Sequence, residues 1–389
     1  VTDLFAPLQS LKLGHWFKLI CGASYQHLPA VRSLTLAYTL AGADCIDVAA
    51  DPAVIAAAQA ALHIAKDLAR DAQERGFGYK GNSPFLMVSL NDGEDPHFRK
   101  AEFNYTQCPT DCPRPCQRIC PAQAIVFNSI KEDFSGVVAQ KCYGCGRCIP
   151  VCPYDIIYTS SYMSTPGAIA PLVMSTGVDA VEIHTKVGRL AEFERLWQAI
   201  SPWVDGLKVV AISCPDGEGM IDYLKALYEL ITPLKSALIW QTDGRPMSGD
   251  IGDGTTLAAV KLGQKVLTAK LPGYVQLAGG TNSYTVAKLK AMGLLKEAGK
   301  QGSRGAEENQ EFFPSAPVPL CPPSSISGVA YGSYARVLLS PILEQLENKE
   351  VSNTNFKTTV HLEEDEELLW QAVKLAHSLV SQIKSQQEH

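Results

Sequence analysis

Eight of the twelve cysteines in this 389-residue chain fall between Cys108 and Cys152, a window of 45 residues. The second half of that window reads Cys142, Cys145, Cys148, Cys152 and then Pro153. In a C-x2-C-x2-C-x3-C-P run three closely spaced thiolates can wrap one iron-sulfur cubane, while the fourth, turned away before the proline, ligates another. Gly144 and Gly146 let the backbone come close enough to aim amide groups at the cluster sulfurs. The first half reads Cys108, Cys112, Cys116, Cys120 and Pro121, with three residues in each gap.

The two halves form an internal repeat at an offset of 32, matching Cys116 with Cys148, Cys120 with Cys152, Pro121 with Pro153 and Ile125 with Ile157. Registry breaks upstream, where the steps back from the third cysteine are 4 and 8 in the first half but 3 and 6 in the second. The pattern is that of two-cluster bacterial ferredoxins, whose fourth cysteine crosses to the other cluster. Carried over, one cluster takes Cys108, Cys112, Cys116 and Cys152, and the other takes Cys142, Cys145, Cys148 and Cys120. Both are [4Fe-4S] by default. The longer first loop, stiffened by Pro109, Pro113 and Pro115, holds one corner less well, and its cluster is expected to pass to [3Fe-4S] on oxidation. Zinc modules use two separated C-x2-C pairs, which this spacing is not, and structural disulfides fit still less.

Composition sets the frame around these thiols. With 46% hydrophobic and 19% charged residues the chain is globular and long enough to bury a core without covalent staples. Residues 344 to 389 carry 9 acidic and 4 basic side chains, so the formal charge of −6 leaves −1 for everything before them. No basic field exists to attract nucleic acid. No apolar run of membrane-spanning length appears, and the expectation is a soluble, cytoplasmic protein of a reducing compartment.

The elements that must position the cysteines follow a regular alternation of short apolar runs and amphipathic helices. Strands are expected at 16–21, 44–49, 85–90, 178–183, 207–213, 235–240, 274–278 and 326–331. Helices are expected at 29–41, 52–75, 188–200, 219–231, 255–268, 282–294 and 335–346. Eight strands with intervening helices predict an α/β fold of the (β/α)8-barrel type with an inserted α+β ferredoxin-like, two-cluster domain; a doubly wound open sheet allows the same alternation. The divisions are 1–104 and 162–348 for the two parts of the barrel, 105–161 for the insertion, and 349–389 for a C-terminal amphipathic helical tail. Within the second part, 296–325 reads as a mobile insertion, with Lys296, Lys300, Arg304 and five prolines and little periodicity. The tail's apolar stripe, from Leu368 to Ile383, is expected to pack on its own domain.

In a barrel, the insertion after the third strand would sit over the C-terminal mouth, where such folds keep their sites. Cys21, Asp51, Asn91, Asp92, His184, Ser213, Cys214, Gln241 and Asp243 would lie at strand ends there. They form no spacing-defined catalytic set, and each reads first as a polar strand end satisfied by its neighbours. His184, Cys214 and Cys321 read as packing rather than as a nucleophile system. Gly279, Gly280 and the Gly332-Ser333 pair stand where many barrels, flavin enzymes among them, bind phosphate, which makes a bound flavin the alternative reading. Gly249, Gly252 and Gly254 resemble an anion nest without the lysine of a P-loop. Electron transfer and sensing, not turnover, is the expected activity, with oxidoreductase chemistry entering if flavin binds.

The run from Cys108 to Pro121 with its unusual spacing, the run from Lys141 to Pro153, Leu19 to His27 and Ala41 to Pro52 together resemble the cyanobacterial light-dependent period (LdpA) family, over nearly the whole chain. The resemblance implies a cytoplasmic iron-sulfur protein that passes photosynthetic, light-dependent redox state to the circadian clock. It further implies contact with clock proteins and with a photosynthetic electron carrier.

Overall fold

The structure, a computed structural model, describes residues 6–22, 27–93, 95–120, 122–129, 134–139, 141–142, 148–164, 166–245, 252, 254–295, 324–352 and 360–384. The expected insertion at 296–325 therefore lies, apart from its last two residues, outside the described residues, as do Cys145 and Cys321. Strands β1 (Trp16–Ile20), β2 (Cys45–Ala49) and β3 (Phe85–Asn91) come first. An interruption follows with β4 (Asp95–Glu102), β5 (Ile125–Ser129), β6 (Phe134–Val137) and β7 (Tyr158–Ser164). The rhythm resumes with β8 (Ala180–His184), β9 (Val209–Pro215), β10 (Ala237–Asp243), β11 (Tyr274–Ala278) and β12 (Gly328–Tyr331). Strands β1, β2, β3, β8, β9, β10, β11 and β12 pair in that order into a closed parallel barrel, with β12 returning to β1. The open-sheet alternative is thereby excluded.

The helices are α1 (Ala6–Leu13), α2 (Leu28–Leu40), α3 (Pro52–Asp67), α4 (Ala69–Glu74), α5 (Pro115–Ile119) and α6 (Pro166–Met174). Further along the chain come α7 (Leu190–Val204), α8 (Met220–Ile231), α9 (Thr256–Thr268), α10 (Thr285–Ala291), α11 (Ser333–Ser352) and α12 (Glu366–Lys384). The single helix expected at 52–75 is two, broken at Leu68, whose backbone leaves helical geometry. Asp51 caps α3 by accepting the Ala53 amide at 2.8 Å, and Pro52 opens it.

Alternation along each barrel strand divides the core in two. Outward residues such as Phe17, Leu19, Val48, Val88, Ile212 and Val329 pack under the helices in the main cluster. Inward residues near the strand starts form a second cluster of Trp16, Cys45, Phe85, Met87, Ala180, Val209 and Ile239, plugged from below by Leu11 of α1. Trp16 fills that floor so fully that a Cβ at Gly328 would lie 2.6 Å from its Cβ, so only glycine fits there.

The tail packs on its own domain, as its stripe requires: Leu368, Leu369, Val373, Leu379 and Ile383 of α12 are buried in the main cluster. Lys384 at its end meets the buried Asp44 carboxylate at 2.6 Å and Ser10 of α1 at 2.9 Å, which ties α12 to the N-terminal face of the barrel. Among the described residues no helix is long and apolar enough to cross a membrane.

Candidate functional site

The cysteine segment lies between β3 and β8, entered by β4 and left by β7, which pair with each other antiparallel from Asp95↔Ser164 to Glu102↔Tyr158. Its repeat is structural as well as sequential. In each half a cysteine-proline step turns through a left-handed residue, Gln123 (φ 49°) and Asp155 (φ 50°), which are 32 positions apart. The amide of each donates to the cysteine carbonyl three residues earlier, Gln123 to Cys120 at 3.1 Å and Asp155 to Cys152 at 3.3 Å. Each turn then delivers an isoleucine, Ile125 or Ile157, into a small core shared with Cys116, Cys142, Cys148 and Cys152.

The donor set has the features an iron-sulfur group needs. Backbone amides donate to sulfur from Arg114 to Cys112 (3.4 Å), from Ala124 to Cys120 (3.2 Å) and from Ala101 to Cys142 (3.3 Å). Such hydrogen bonds stabilise negative charge on sulfur and help set a cluster's potential. Cys152 stands near Cys108 and Cys116, and Cys112 near both: burial raises the thiols of Cys108 and Cys116, and the neighbouring cysteines raise them further. Sulfurs that resist joint ionisation are those a cationic core would relieve. Arg114, left-handed at φ 52°, starts α5 at Pro115 and so places Cys116 on that short helix. Among the described residues no group of three or more His, Cys, Asp or Glu side chains is arranged to hold a metal ion; Cys145 is not among them.

A second polar assembly occupies the barrel centre. Lys18 of β1, fully buried, sits 2.9 Å from Asp47 of β2, is ion-paired to Glu182 of β8, and donates to Gln241 of β10 at 3.0 Å. Gln276 of β11 donates to the same Gln241 oxygen at 2.6 Å and accepts from the Trp16 indole at 2.6 Å; Ser89 donates to Asp47 at 2.8 Å. At the mouth His184 stands 3.3 Å from Glu182. Burial alone would lower the Lys18 ammonium, but Asp47 and Glu182 outweigh it and hold it well above its ordinary value. Burial pushes Asp47 up to about 7 against the pull of Lys18, and Asp243 up to about 6 against that of His184. Glu182 is the reverse: burial is overridden by Lys18, which keeps it below its ordinary value. A lysine held charged in this way is a fixed cation, not a nucleophile.

Of the strand-end residues named from sequence, His184, Ser213, Gln241 and Asp243 belong to this assembly or its rim. Asp92 pairs with Arg189 at 3.2 Å and takes the Thr185 hydroxyl at 2.5 Å. Cys21 and Cys214 are buried thiols, each pushed by burial up to about 12, which makes them inert at neutral pH. At Gly279 a Cβ would collide with the Asp243 carboxylate, and at Gly280 it would lie 2.9 Å from the Thr255 carbonyl, so both glycines serve close packing. Gly252 offers its carbonyl to Thr255 and Asn282, and Gly249 lies outside the described residues. Sequence reasoning missed Lys18, Asp47, Glu182 and Gln276. Their signal was a lone polar residue at an inward position of an otherwise apolar strand.

Fold and site together define an α/β-barrel protein with a cysteine-rich module set into the connection after its third strand. The family model of the LdpA Fe-S cluster-binding domain matches residues 108–163, and that of the Light dependent period A C-terminal domain matches 172–382. A Synechococcus elongatus protein named Light dependent period A is 47% identical over 378 residues, covering 97% of this chain and 94% of its own. The chain belongs to the light-dependent period A family, and its cysteine module is an iron-sulfur cluster-binding domain. A solved structure described as a fructose-1,6-biphosphate aldolase from Coccidioides immitis aligns at a TM-score of 0.37 and 10% identity over 99% of this chain and 95% of that one, too loosely to bear on function.

Proposed function

We propose that this chain is a cytoplasmic redox sensor that reports the light-dependent state of photosynthetic electron transport to the circadian clock through two ferredoxin-type clusters. The observation that carries the reading is the pair of cysteine half-repeats whose matching turns, 32 residues apart, converge on one small core. Bound clusters would supply one-electron storage. The chain's part is to hold them: Cys108, Cys112, Cys116 and Cys152 for one, and Cys120, Cys142, Cys145 and Cys148 for the other. Amides of Arg114, Ala124 and Ala101 direct hydrogen bonds at the sulfurs, and Ile125 and Ile157 keep water from the space between the halves. The clock output rests on the relative's name, Light dependent period A. Flavin at Gly279 and Gly280 is the lesser reading, because close packing already accounts for both glycines: a Cβ at Gly279 would meet Asp243 and one at Gly280 would meet Thr255.

Anaerobically purified protein is expected to be brown, to carry close to eight irons, and to give two cluster signals by electron paramagnetic resonance. Zinc or empty thiols in such a preparation would refute the cluster reading. Replacing Cys145 with Ser should remove the light dependence of the clock period in cells, and an unchanged light response would refute the sensing role.

A further inference from the structure

The insertion and the barrel mouth meet at one charged contact. Strand β4 leaves the barrel, and its Ala101 amide donates to Cys142 Sγ. The residue just before, Lys100, points its ammonium two ways. It donates to the carbonyl of Ala139, and it lies 3.8 Å from Asp51 Oδ2. Asp51 sits where β2 gives way to α3, is 1% exposed, and has its other oxygen committed to the Ala53 amide.

Ala139 belongs to the turn that presents Cys142. The amides of Lys141 and Cys142 both close on the Val138 carbonyl, at 3.0 and 3.1 Å, and the Val138 amide is held by Ala124. Lys100 is thus a fastener of that turn and at the same time the counter-charge of a buried carboxylate at the barrel mouth. A cation beside a cluster favours the reduced, more negative state, and a buried anion beside it opposes that state. The effect is strong here because the Lys100 side chain is only 14% exposed.

We propose that Lys100 is a positioning residue that sets the potential of the cluster on the Cys142 side and, reciprocally, reports that cluster's charge to Asp51 at the barrel mouth. The proposal rests on the iron-sulfur reading above. Coupling of this kind is symmetric: if the Lys100–Asp51 pair shifts the electron affinity of the cluster, reduction of the cluster shifts the strength of the pair by the same factor. An added electron draws the ammonium toward the sulfurs and weakens its hold on Asp51, so the end of β2 and the start of α3 feel the redox state.

The test is a double-mutant cycle on the full chain, purified anaerobically, with cluster potentials from spectroscopic redox titration and iron counted in every sample. Lys100→Met should lower the potential of one cluster by about tenfold in its redox equilibrium, about 59 mV for one electron, and leave the other cluster where it was. Asp51→Asn should raise the same potential by a smaller amount, the double variant should fall back toward the parent, and Lys100→Arg should keep the parental value. A fastener without an electrostatic role predicts a different pattern. Shifts of the same sign in both single variants, unmoved potentials, or iron loss in Lys100→Met that Lys100→Arg shares would each overturn the proposal. As a readout independent of iron, apoprotein carrying Lys100→Met should show faster hydrogen exchange at the Ala101 amide, and unchanged exchange there would count against it. Absence of iron from the parent protein is a separate result, and sinks the cluster reading instead.

Discussion

At the scale of single residues, Cys108 is the weak corner of the cluster proposed for Cys108, Cys112, Cys116 and Cys152. It is partly exposed, whereas Cys112, Cys116 and Cys152 are at most 8% exposed. Its loop carries the extra length and three prolines noted in the sequence, and Arg114 bends it through a left-handed step. If the proposed pair of clusters is right, air should therefore remove one iron from the cluster assigned to Cys108, giving a [3Fe-4S] signal while the other cluster persists; two equally air-stable clusters by iron count and electron paramagnetic resonance would contradict this. Asp47 makes a prediction of another kind. Burial raises its folded-state value to about 7 from the ordinary 3.8, so between those values the folded chain binds more protons than the unfolded one. Stability from this group is complete below the lower value and is lost as pH rises through the upper one. Relative to the parent, Asp47→Asn should thus gain in stability as pH rises from about 5 to about 8, read from urea midpoints. A parent and variant with parallel pH profiles would show that Lys18 absorbs the whole effect.

At the scale of elements, what could be read in advance was what each segment's own pattern dictates. The eight barrel strands are short apolar runs flanked by amphipathic helices, and each falls within a few residues of its expected place. Strands β4 and β7 were not foreseen because DPHFRKAE and YTSSYMS have no apolar run; each exists by pairing with the other, a contact more than fifty residues away in sequence. Helix α6 was hidden by its internal Pro171, and α1 by its eight-residue length. The cysteine half-repeats were legible because their spacing is local. The Lys18 assembly was not, because its members come from six strands and meet only when the barrel closes. Helix α12 belongs with the readable elements. Its Leu379 is 1% exposed against the main core, so Leu379→Ala should cost about 2 to 5 kcal/mol of unfolding free energy. A loss below about 1 kcal/mol in a urea titration would mean that the tail docks too loosely to count as part of the barrel.

At the scale of the whole molecule, the barrel has a closed end and an end from which the cysteine module departs. The N-terminal face is plugged by α1 and tied down by the Lys384–Asp44 pair, while the module rises from the opposite face between β3 and β8. Those two strands do not need the module in order to meet. They pair directly from Met87↔Ala180 to Asn91↔His184, and α6, which follows β7, packs on β3 and α7 as the crossover helix of an ordinary strand-helix-strand unit. The module's own ends are also brought together, since Asp95 and Ser164 are opposite partners in the β4–β7 ladder. Opposite partners in such a ladder lie about 5 Å apart, a gap that a few flexible residues span. Replacing residues 95–164 with a short Gly/Ser linker should therefore leave a barrel that unfolds cooperatively and binds no iron. One cost is the loss of Lys100 from Asp51, which still caps α3. A buried carboxylate left without its ion partner costs about 3 to 5 kcal/mol, against a total of about 5 to 15 for a typical domain, so the melting temperature should fall by about ten degrees. Circular dichroism and calorimetry decide the matter: a variant that is insoluble or melts without cooperativity would make the module a part of the barrel's folding unit.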